Sequence, residues 1–384
     1  MAEKLRVGVI FGGRSGEHAV SIASAASVLA ALDTEEYEIV PIGVTPEGRW
    51  LAGVEPRRLA QGNATMDEDA AAHADAVTAV TITGDPTRHG LVPADPFSGA
   101  GNDGRIGRPL DVILPLIHGT YGEDGTLQGL LEMADVPYAG CGVLGSALGM
   151  DKEKAKLLFT AVGLPVVEWL TVRRHAFERD PEAVYARIEQ RFAWPVFAKP
   201  ANLGSSVGVG KAHDHTELEH VLAEALQYDS KVLVERGVNC RELECGVLGA
   251  DEPLASVVGE VVPNREFYDY RSKYLDNASR LYIPAEITAE QAAEVRRIAV
   301  AAFQALDLSG LARVDCFLDK DSGALYINEA NTMPGFTQIS MYPKLWEASG
   351  VPYPELLDRL IQLGITRHAD RRRNRTTFSP DDEA

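Results

Sequence analysis

Leu311-Ala312-Arg313-Val314-Asp315-Cys316-Phe317-Leu318-Asp319-Lys320-Asp321-Ser322-Gly323-Ala324-Leu325-Tyr326-Ile327-Asn328-Glu329-Ala330-Asn331-Thr332-Met333-Pro334-Gly335 reads as a β-hairpin. Two runs of alternating apolar and polar residues flank Asp321-Ser322-Gly323, a three-residue loop with glycine at its left-handed position. Pairing Lys320 with Ala324 sets a register in which Asp315 falls opposite Glu329 and Arg313 opposite Asn331. The strand period of two puts Arg313, Asp315 and Phe317 on one face, facing Leu325, Ile327, Glu329 and Asn331. Two carboxylates opposed across a ladder repel unless something positive sits between them. With the amide oxygen of Asn331 beside them they form three hard oxygen ligands, a set that suits Mg²⁺. An exposed hairpin with solvated acids is the bland alternative. Arg, Asp, Glu and Asn crowded onto one face weigh against it.

Around this hairpin lie 384 residues, enough for two or three domains, with 45% apolar and 24% charged side chains, an ordinary soluble globular balance. The net charge of −19 argues against a general nucleic-acid or membrane-surface binder, which needs a basic face. Any site for an anion must then be locally basic against the global field, so individual lysines and arginines carry weight. Cys141, Cys240, Cys245 and Cys316 show no paired spacing and no nearby histidine cluster, so free thiols in a reducing compartment are expected rather than zinc or disulfides. No apolar run reaches spanning length and no signal-peptide core is present, so a soluble, cytoplasmic protein is expected.

Leu5–Phe11 reads as a buried strand running through Gly12-Gly13-Arg14-Ser15-Gly16 into a helix reaching about Leu32, the opening of an α/β unit. The glycines do not fit G-x-G-x-x-G, and a plain tight turn explains them. Glu17 puts an acid in the first helical turn at the carboxyl edge of a strand, where ligands collect, although the helix dipole also favours an acid there. Tyr37–Val44 is a second strand, 52–108 an uneven stretch read as an insertion with a strand expected at Val77–Thr83, and Asp111–Ile117 a strand ending in the glycine-rich loop from His118 to Gly125. In Met150-Asp151-Lys152-Glu153-Lys154-Ala155-Lys156 a solvated helix face is the better reading for Lys154 and Lys156. A strand ends at Lys199, and Gly204-Ser205-Ser206 then precedes a strand expected from Val207. Backbone N–H groups and hydroxyls beside a lysine suit phosphate oxygens. The stretch is not a P-loop, because a strand follows instead of a helix, and a purely structural hairpin stays open. Strands are expected at Lys231–Glu235 and Arg241–Gly249. Phe267–Tyr274, dense in aromatics and charge, reads as a functional loop. Helices are expected at Thr288–Leu306 and Tyr353–Leu363, with a disordered tail beyond 366.

The motifs taken together resemble the ATP-grasp superfamily and, within it, the D-alanine–D-alanine ligases of bacterial cell-wall synthesis. The resemblance spans Phe11 to about Leu363 and rests on Gly12–Ser21, His118–Gly129, Lys199–Gly208, Tyr268–Tyr274, Arg313–Asp315 and Asn328–Gly335. It implies an α/β fold, with an N-terminal open parallel sheet domain (1–138, including the insertion at 52–108) followed by a two-subdomain ATP-grasp fold (139–236 and 237–366) and a tail (367–384). It implies ligation of two D-alanines at the expense of ATP, through a D-alanyl phosphate, by a cytoplasmic homodimer that uses two Mg²⁺ ions, or Mn²⁺ in their place, and engages neither nucleic acid nor membrane.

By the same resemblance Asp315, Glu329 and Asn331 are the metal ligands. Lys152, Lys199, Ser206 and Lys273 face the nucleotide's phosphates, and Arg313 faces the reacting carbonyl oxygen. Glu235, Arg236, Val238 and Glu242 match positions around the adenosine. Glu17, Ser205 and Tyr274 match a hydrogen-bonded triad, with Glu17 anchoring the first D-alanine's ammonium. His118 lies near that substrate's carboxylate, and Gly335 and Ser340 receive the second carboxylate. Tyr274 favours a dipeptide product over a D-alanyl-D-lactate depsipeptide. Another carboxylate–amine ligase of the superfamily, a biotin-carboxylase-like enzyme and a silent nucleotide-binding module are the competing readings. The Tyr268–Tyr274 stretch and the full set of lysines and metal ligands argue against them.

Overall fold

The structure, a computed structural model, describes residues 4–62, 77–88, 90–94, 107–262 and 280–376. The N-terminal sheet contains β1 (Leu5–Gly12), β2 (Tyr37–Val44), β3 (Trp50–Ala52), β4 (Thr78–Ile82), β5 (Leu91–Pro93) and β6 (Val112–Pro115), in the order β5-β4-β3-β2-β1-β6. The β2-β1-β6 half is parallel, as expected, and β1 is buried along nearly its whole length, which is why it reads as an unbroken apolar run. β3, β4 and β5 extend the β2 edge in antiparallel fashion. The strand expected at Val77–Thr83 is β4, whereas β3 and β5, of three residues each, are too short to show an alternation in sequence. The helix His18–Ala31 lies against β1, and Ser21 fixes it there by accepting from the Gly12 N–H at 2.7 Å while donating to the Leu116 carbonyl.

A second, four-stranded antiparallel sheet has the order β7-β10-β8-β9, with β7 at Trp169–Arg173, β8 at Val196–Pro200, β9 at Gly210–Ala212 and β10 at Lys231–Arg236. The strand expected from Val207 begins only at Gly210. Ser205 and Ser206 sit in the left-handed region at φ 51° and 56°, and Val207 and Val209 turn back to the carbonyls of Gly204 and Ser206, so the flap between β8 and β9 is a compact double turn.

The third sheet, also antiparallel, has the order β13-β12-β11-β14-β15, with β11 at Cys240–Gly249, β12 at Leu254–Val262, β13 at Arg280–Tyr282, β14 at Gly310–Asp319 and β15 at Leu325–Asn331. The helix Ala289–Ala305 covers it. Val295, Ile298, Ala299, Ala302 and Phe303 form its apolar stripe, and a Thr288–Gln291 capping box starts it.

The last helix runs Tyr353–Arg371, well past Leu363, so the beginning of the expected tail is helical. Two of its basic residues are packed against the N-terminal domain. Arg367 lies 4.1 Å over the Tyr138 ring and donates to Ser309 Oγ at 2.9 Å and to the Tyr138 carbonyl at 3.0 Å, and His368 Nε2 meets Asp135 at 2.8 Å. Gly364 permits the close crossing, since a Cβ there would lie 2.5 Å from the Tyr138 carbonyl oxygen. The four cysteines are free, as expected, and burial pushes the thiols of Cys141 and Cys245 up to about 12.

Candidate active site

The second and third sheets enclose a cavity of about 990 Å³, and the β14–β15 hairpin forms part of its lining. Arg313 pairs with Asn331 and Asp315 with Glu329, as the alternation implies. The register near the loop is different: the Asp319 N–H, not Lys320, meets the Ala324 carbonyl at 2.9 Å, and Lys320 donates instead to Asn239. A bulge between Asp315 and Cys316 absorbs the one-residue difference. It also reverses the faces of β15: Ile327, expected on the site face, is buried in the core cluster, and Asn328 lines the cavity beside Glu329.

Arg313 is 15% exposed and is surrounded by acids. Its Nε and Nη2 fork onto Asp315 at 2.7 and 2.6 Å, and Nε lies 3.0 Å from Glu244 Oε2. Asp315, Glu244 and Glu329 hold this guanidinium's pKa well above its ordinary value in spite of burial. Glu329 pairs with Lys152 at 3.4 Å, and Asn331 Oδ1 accepts from the Met333 N–H at 3.0 Å.

From the opposite wall, Lys199 on β8 reaches Asn328 Oδ1 at 3.2 Å and Glu235 on β10 at 2.8 Å. Lys156 takes the other oxygen of Glu235 at 3.2 Å and is 1% exposed, so the solvated face expected for it is overturned. The reason is geometric: Lys156 is one helical turn beyond Lys152, on the same inward side of the helix Lys152–Ala161. Arg236, Val238 and Glu242 line the same cavity, as does Ser206 of the flap.

A second cavity of about 560 Å³ lies on the other side of this floor. Lys152, Gly204, Ser205, Glu244, Arg313 and Glu329 border both spaces. Glu17 lines the second, at the cap position ahead of the helix and not within its first turn, and Ser205 Oγ donates to its carboxylate. Gly119 and Gly204 press on that carboxylate from two sides, since a Cβ at either would lie 2.7 or 2.9 Å from Glu17 Oε2. His118, 2% exposed, spans two elements: Nδ1 meets the Met333 carbonyl at 2.8 Å and Nε2 meets Ser24 Oγ at 3.0 Å. A carbonyl can only accept, so Nδ1 carries the proton and Nε2 accepts from Ser24. Burial lowers the imidazole's pKa against the opposing pull of Glu17 and the Met333 carbonyl. Gly335 and Ser340 line this cavity too, with Ser340 Oγ 2.7 Å from Thr337 Oγ1. Lys273 and Tyr274 lie outside the described residues.

Four further residues enter this machinery. Glu244 stands directly beside Asp315 across the β11–β14 ladder, a non-local pairing that spacing within either strand cannot reveal. Asn328 is brought in by the bulge, and Lys156 was detectable from its four-residue offset to Lys152. Glu123 accepts from the Gly119 N–H, and burial, reinforced by Glu17, raises its pKa well above 4.5.

Among the described residues no group of three or more His, Cys, Asp or Glu side chains is arranged to hold a metal. Asp315 lines the first cavity, Asn331 the second and Glu329 both, and two carboxylates with an amide oxygen are the donor chemistry that suits a hard cation. Among the described residues, too, no helix is long and apolar enough to cross a membrane.

The chain matches the family described as D-ala D-ala ligase N-terminus over residues 6–141 and D-ala D-ala ligase C-terminus over 158–362. It is 47% identical over 376 residues to the D-alanine–D-alanine ligase of Acetivibrio thermocellus, covering 96% of this chain and 98% of that one. It is 48% identical to that of Geobacillus thermodenitrificans, with 98% and 99% covered. Among solved structures, the D-alanine–D-alanine ligase from Coxiella burnetii superposes with a TM-score of 0.80 at 36% identity, covering 97% of each chain. VanG D-Ala:D-Ser ligase from Enterococcus faecalis superposes at 0.81 and 35%, covering 94% of this chain and 99% of that one. The chain belongs to the D-alanine–D-alanine ligase family.

Proposed function

We propose that the protein joins two D-alanines, with ATP as the phosphoryl donor, and that the reaction crosses the floor between the two cavities. The observation that carries this reading is the shared wall. Lys152, Ser205, Arg313 and Glu329 each border a space sized for a nucleotide and a space sized for amino acids. A carboxylate in the second space therefore meets a terminal phosphate in the first at those residues.

The first D-alanine binds with its ammonium on Glu17. Its carboxylate oxygen attacks the γ-phosphorus, ADP leaves, and D-alanyl phosphate forms. The amine of the second D-alanine, held by its carboxylate at Ser340 and the Gly335 backbone, then loses a proton and attacks the acyl carbon. Arg313 donates to the oxygen that becomes anionic in the tetrahedral intermediate, and inorganic phosphate departs as the peptide bond forms. Lys152 and Lys199 hold the phosphates, and Glu235, Glu242, Val238 and Arg236 hold the nucleoside. Glu235 supports that assignment, because it lines the first cavity as a buried carboxylate whose Oε1 meets only Lys156, at 3.2 Å, in the described ion pairs, and a carboxylate oxygen has a second lone pair to accept from a base amine. Asp315, Glu329 and Asn331 would hold two Mg²⁺ ions, which neutralise charge on the phosphates during transfer. His118, neutral and bonded at both nitrogens, shapes the Met333–Gly335 backbone and carries no charge to the substrate. Ser205 on Glu17, joined by Tyr274, holds the flap over the acyl phosphate and excludes water. We infer a cytoplasmic homodimer with domains near 1–138, 139–236 and 237–366.

Purified protein incubated with ATP, Mg²⁺ and D-alanine should release ADP and phosphate in step with dipeptide. A parallel panel of L-alanine, D-serine and D-lactate as second substrate separates dipeptide from depsipeptide synthesis. Nucleotide turnover that ignores D-alanine would overturn the assignment.

A further inference from the structure

Lys156 is a buried ammonium for which the reaction as described has no use. It does not line the nucleotide cavity, yet it stands directly behind a residue that does. Its Nζ is 3.2 Å from Glu235 Oε1, 3.4 Å from the Val167 carbonyl and 5.7 Å above the Trp169 ring. The other charges that face it are Lys199, which holds Glu235 Oε2 at 2.8 Å, and Glu329 farther off. Burying a lysine costs stability unless its charge is used, and an isosteric methionine would fill the same space without that cost. Burial and Lys199 both work against the charge on Lys156, bringing its pKa down to about 8, and Glu235 alone among its near neighbours strongly supports it. Burial in turn pushes the Glu235 carboxyl up, and Lys156 and Lys199 together more than reverse this.

We propose that Lys156 is the positioning residue for nucleotide-base selection, pinning the 3%-exposed carboxylate of Glu235 as a pure hydrogen-bond acceptor for an exocyclic amine. The proposal rests on the assignment of Glu235 to the base. An acceptor in that place takes the amine of adenine and opposes a base that carries a carbonyl there. Lys156 also balances charge. The Lys156–Glu235–Lys199 group carries one net positive charge, so Lys199 can turn toward phosphate without leaving Glu235 unpaired. Without Lys156, either burial favours the protonated acid, whose O–H donates to a carbonyl, or Lys199 must stay on Glu235 as its only counter-charge and cannot turn to phosphate.

The test compares ATP with ITP, which differ at that exocyclic group, by phosphate release under saturating D-alanine. Lys156→Met is expected to lower the ratio of kcat/KM for ATP over ITP by about tenfold or more, the scale of one buried charge-assisted hydrogen bond, and to leave KM for D-alanine within about twofold. Glu235→Gln, whose amide can turn to donate, should lower the same ratio, and adding Lys156→Met to it should change nothing further. Lys156→Gln keeps a donor for Val167 and Glu235 and carries the same expectation if the methionine variant does not fold. A ratio unmoved in Glu235→Gln removes the base assignment, and the role of Lys156 falls with it. A ratio lowered by Glu235→Gln but unmoved by both Lys156 variants leaves the base assignment intact and overturns only the proposal. So does an equal loss with both nucleotides, the mark of a structural lysine.

Discussion

Replacing Glu244 by glutamine isolates the support of the residue assigned to the reacting carbonyl. Glu244 Oε2 lies 3.0 Å from Arg313 Nε, the same nitrogen that donates to Asp315 Oδ1 at 2.7 Å, so Glu244 adds a second charge to one tine of the fork. The substitution preserves shape and leaves a neutral oxygen as acceptor, so about 1–2 kcal/mol of a charge-assisted contact is lost, corresponding to roughly 5- to 30-fold in rate if it is expressed in the transition state. Folding is expected to survive. Arg313 keeps Asp315, and the cluster of Arg313, Lys152, Glu244, Asp315 and Glu329 moves from one net negative charge to neutrality. The loss should appear in kcat, because the contact orients a donor used only once the carbonyl oxygen becomes anionic, and KM for ATP should change little. Steady-state phosphate release at saturating ATP and D-alanine measures it, with a thermal melt beside it. A kcat within twofold of wild type in a protein of unchanged melting temperature would refute the argument that Glu244 aims Arg313.

Gly122→Ala puts a Cβ 2.0 Å from the Ile117 carbonyl oxygen, a clash between backbones that no rotamer relieves, and should cost several kcal/mol in denaturant titration; wild-type stability would show that the loop is laxer than its geometry. For Glu123 the folded pKa lies above the unfolded value of 4.5, so its stability contribution is full below that pH and declines as pH rises through the folded value. Glu123→Gln cannot ionise and keeps an oxygen for the Gly119 N–H, so it should melt higher than wild type near pH 8 and lose that advantage near pH 5; a pH-independent difference would contradict the sign. Ser205→Ala removes the hydroxyl on Glu17 and should raise KM for D-alanine by about tenfold while KM for ATP stays nearly constant, and an equal rise in both would deny the link to the amino-acid site.

What the sequence made legible, and what it hid, divides along the distance between interacting residues. The hairpin's alternation predicted the facing pairs Arg313–Asn331 and Asp315–Glu329 because both strands lie within one short stretch. It missed the bulge, since nothing local marks where an extra residue will be absorbed, and so it put Ile327 on the wrong face and left out Asn328. Glycines in the His118 and Gly204 stretches correctly marked close approach, and the group approached, Glu17, comes from a third segment. Glu244 was hidden because its partner Arg313 is on another element, whereas the four-residue offset of Lys156 from Lys152 marked its face but not its partner, Glu235. The basic residues after 366 looked like tail composition, and only the loop around Tyr138 gives Arg367 a reason to be ordered.

The charge balance of the floor makes one more demand. In a chain of net charge −19, three cations of this floor stand against acids: Lys152 on Glu329, Lys199 on Glu235, Arg313 on Asp315 and Glu244. Metal-free ATP must draw these lysines toward its phosphates and leave buried carboxylates uncompensated, at a cost of several kcal/mol. A divalent cation that arrives with the phosphates gives Asp315 and Glu329 a new partner as Lys152 is released, so nucleotide and metal should bind far more tightly together than apart. Glu329→Gln separates the two effects, because it frees Lys152 while removing a carboxylate proposed as a metal ligand. By titration calorimetry it should bind ATP in EDTA more tightly than wild type, by about tenfold, and bind ATP with Mg²⁺ more weakly. Binding weakened under both conditions would mean that Glu329 does not hold Lys152 in reserve, and the exchange of partners between lysines, acids and metal would have to be given up.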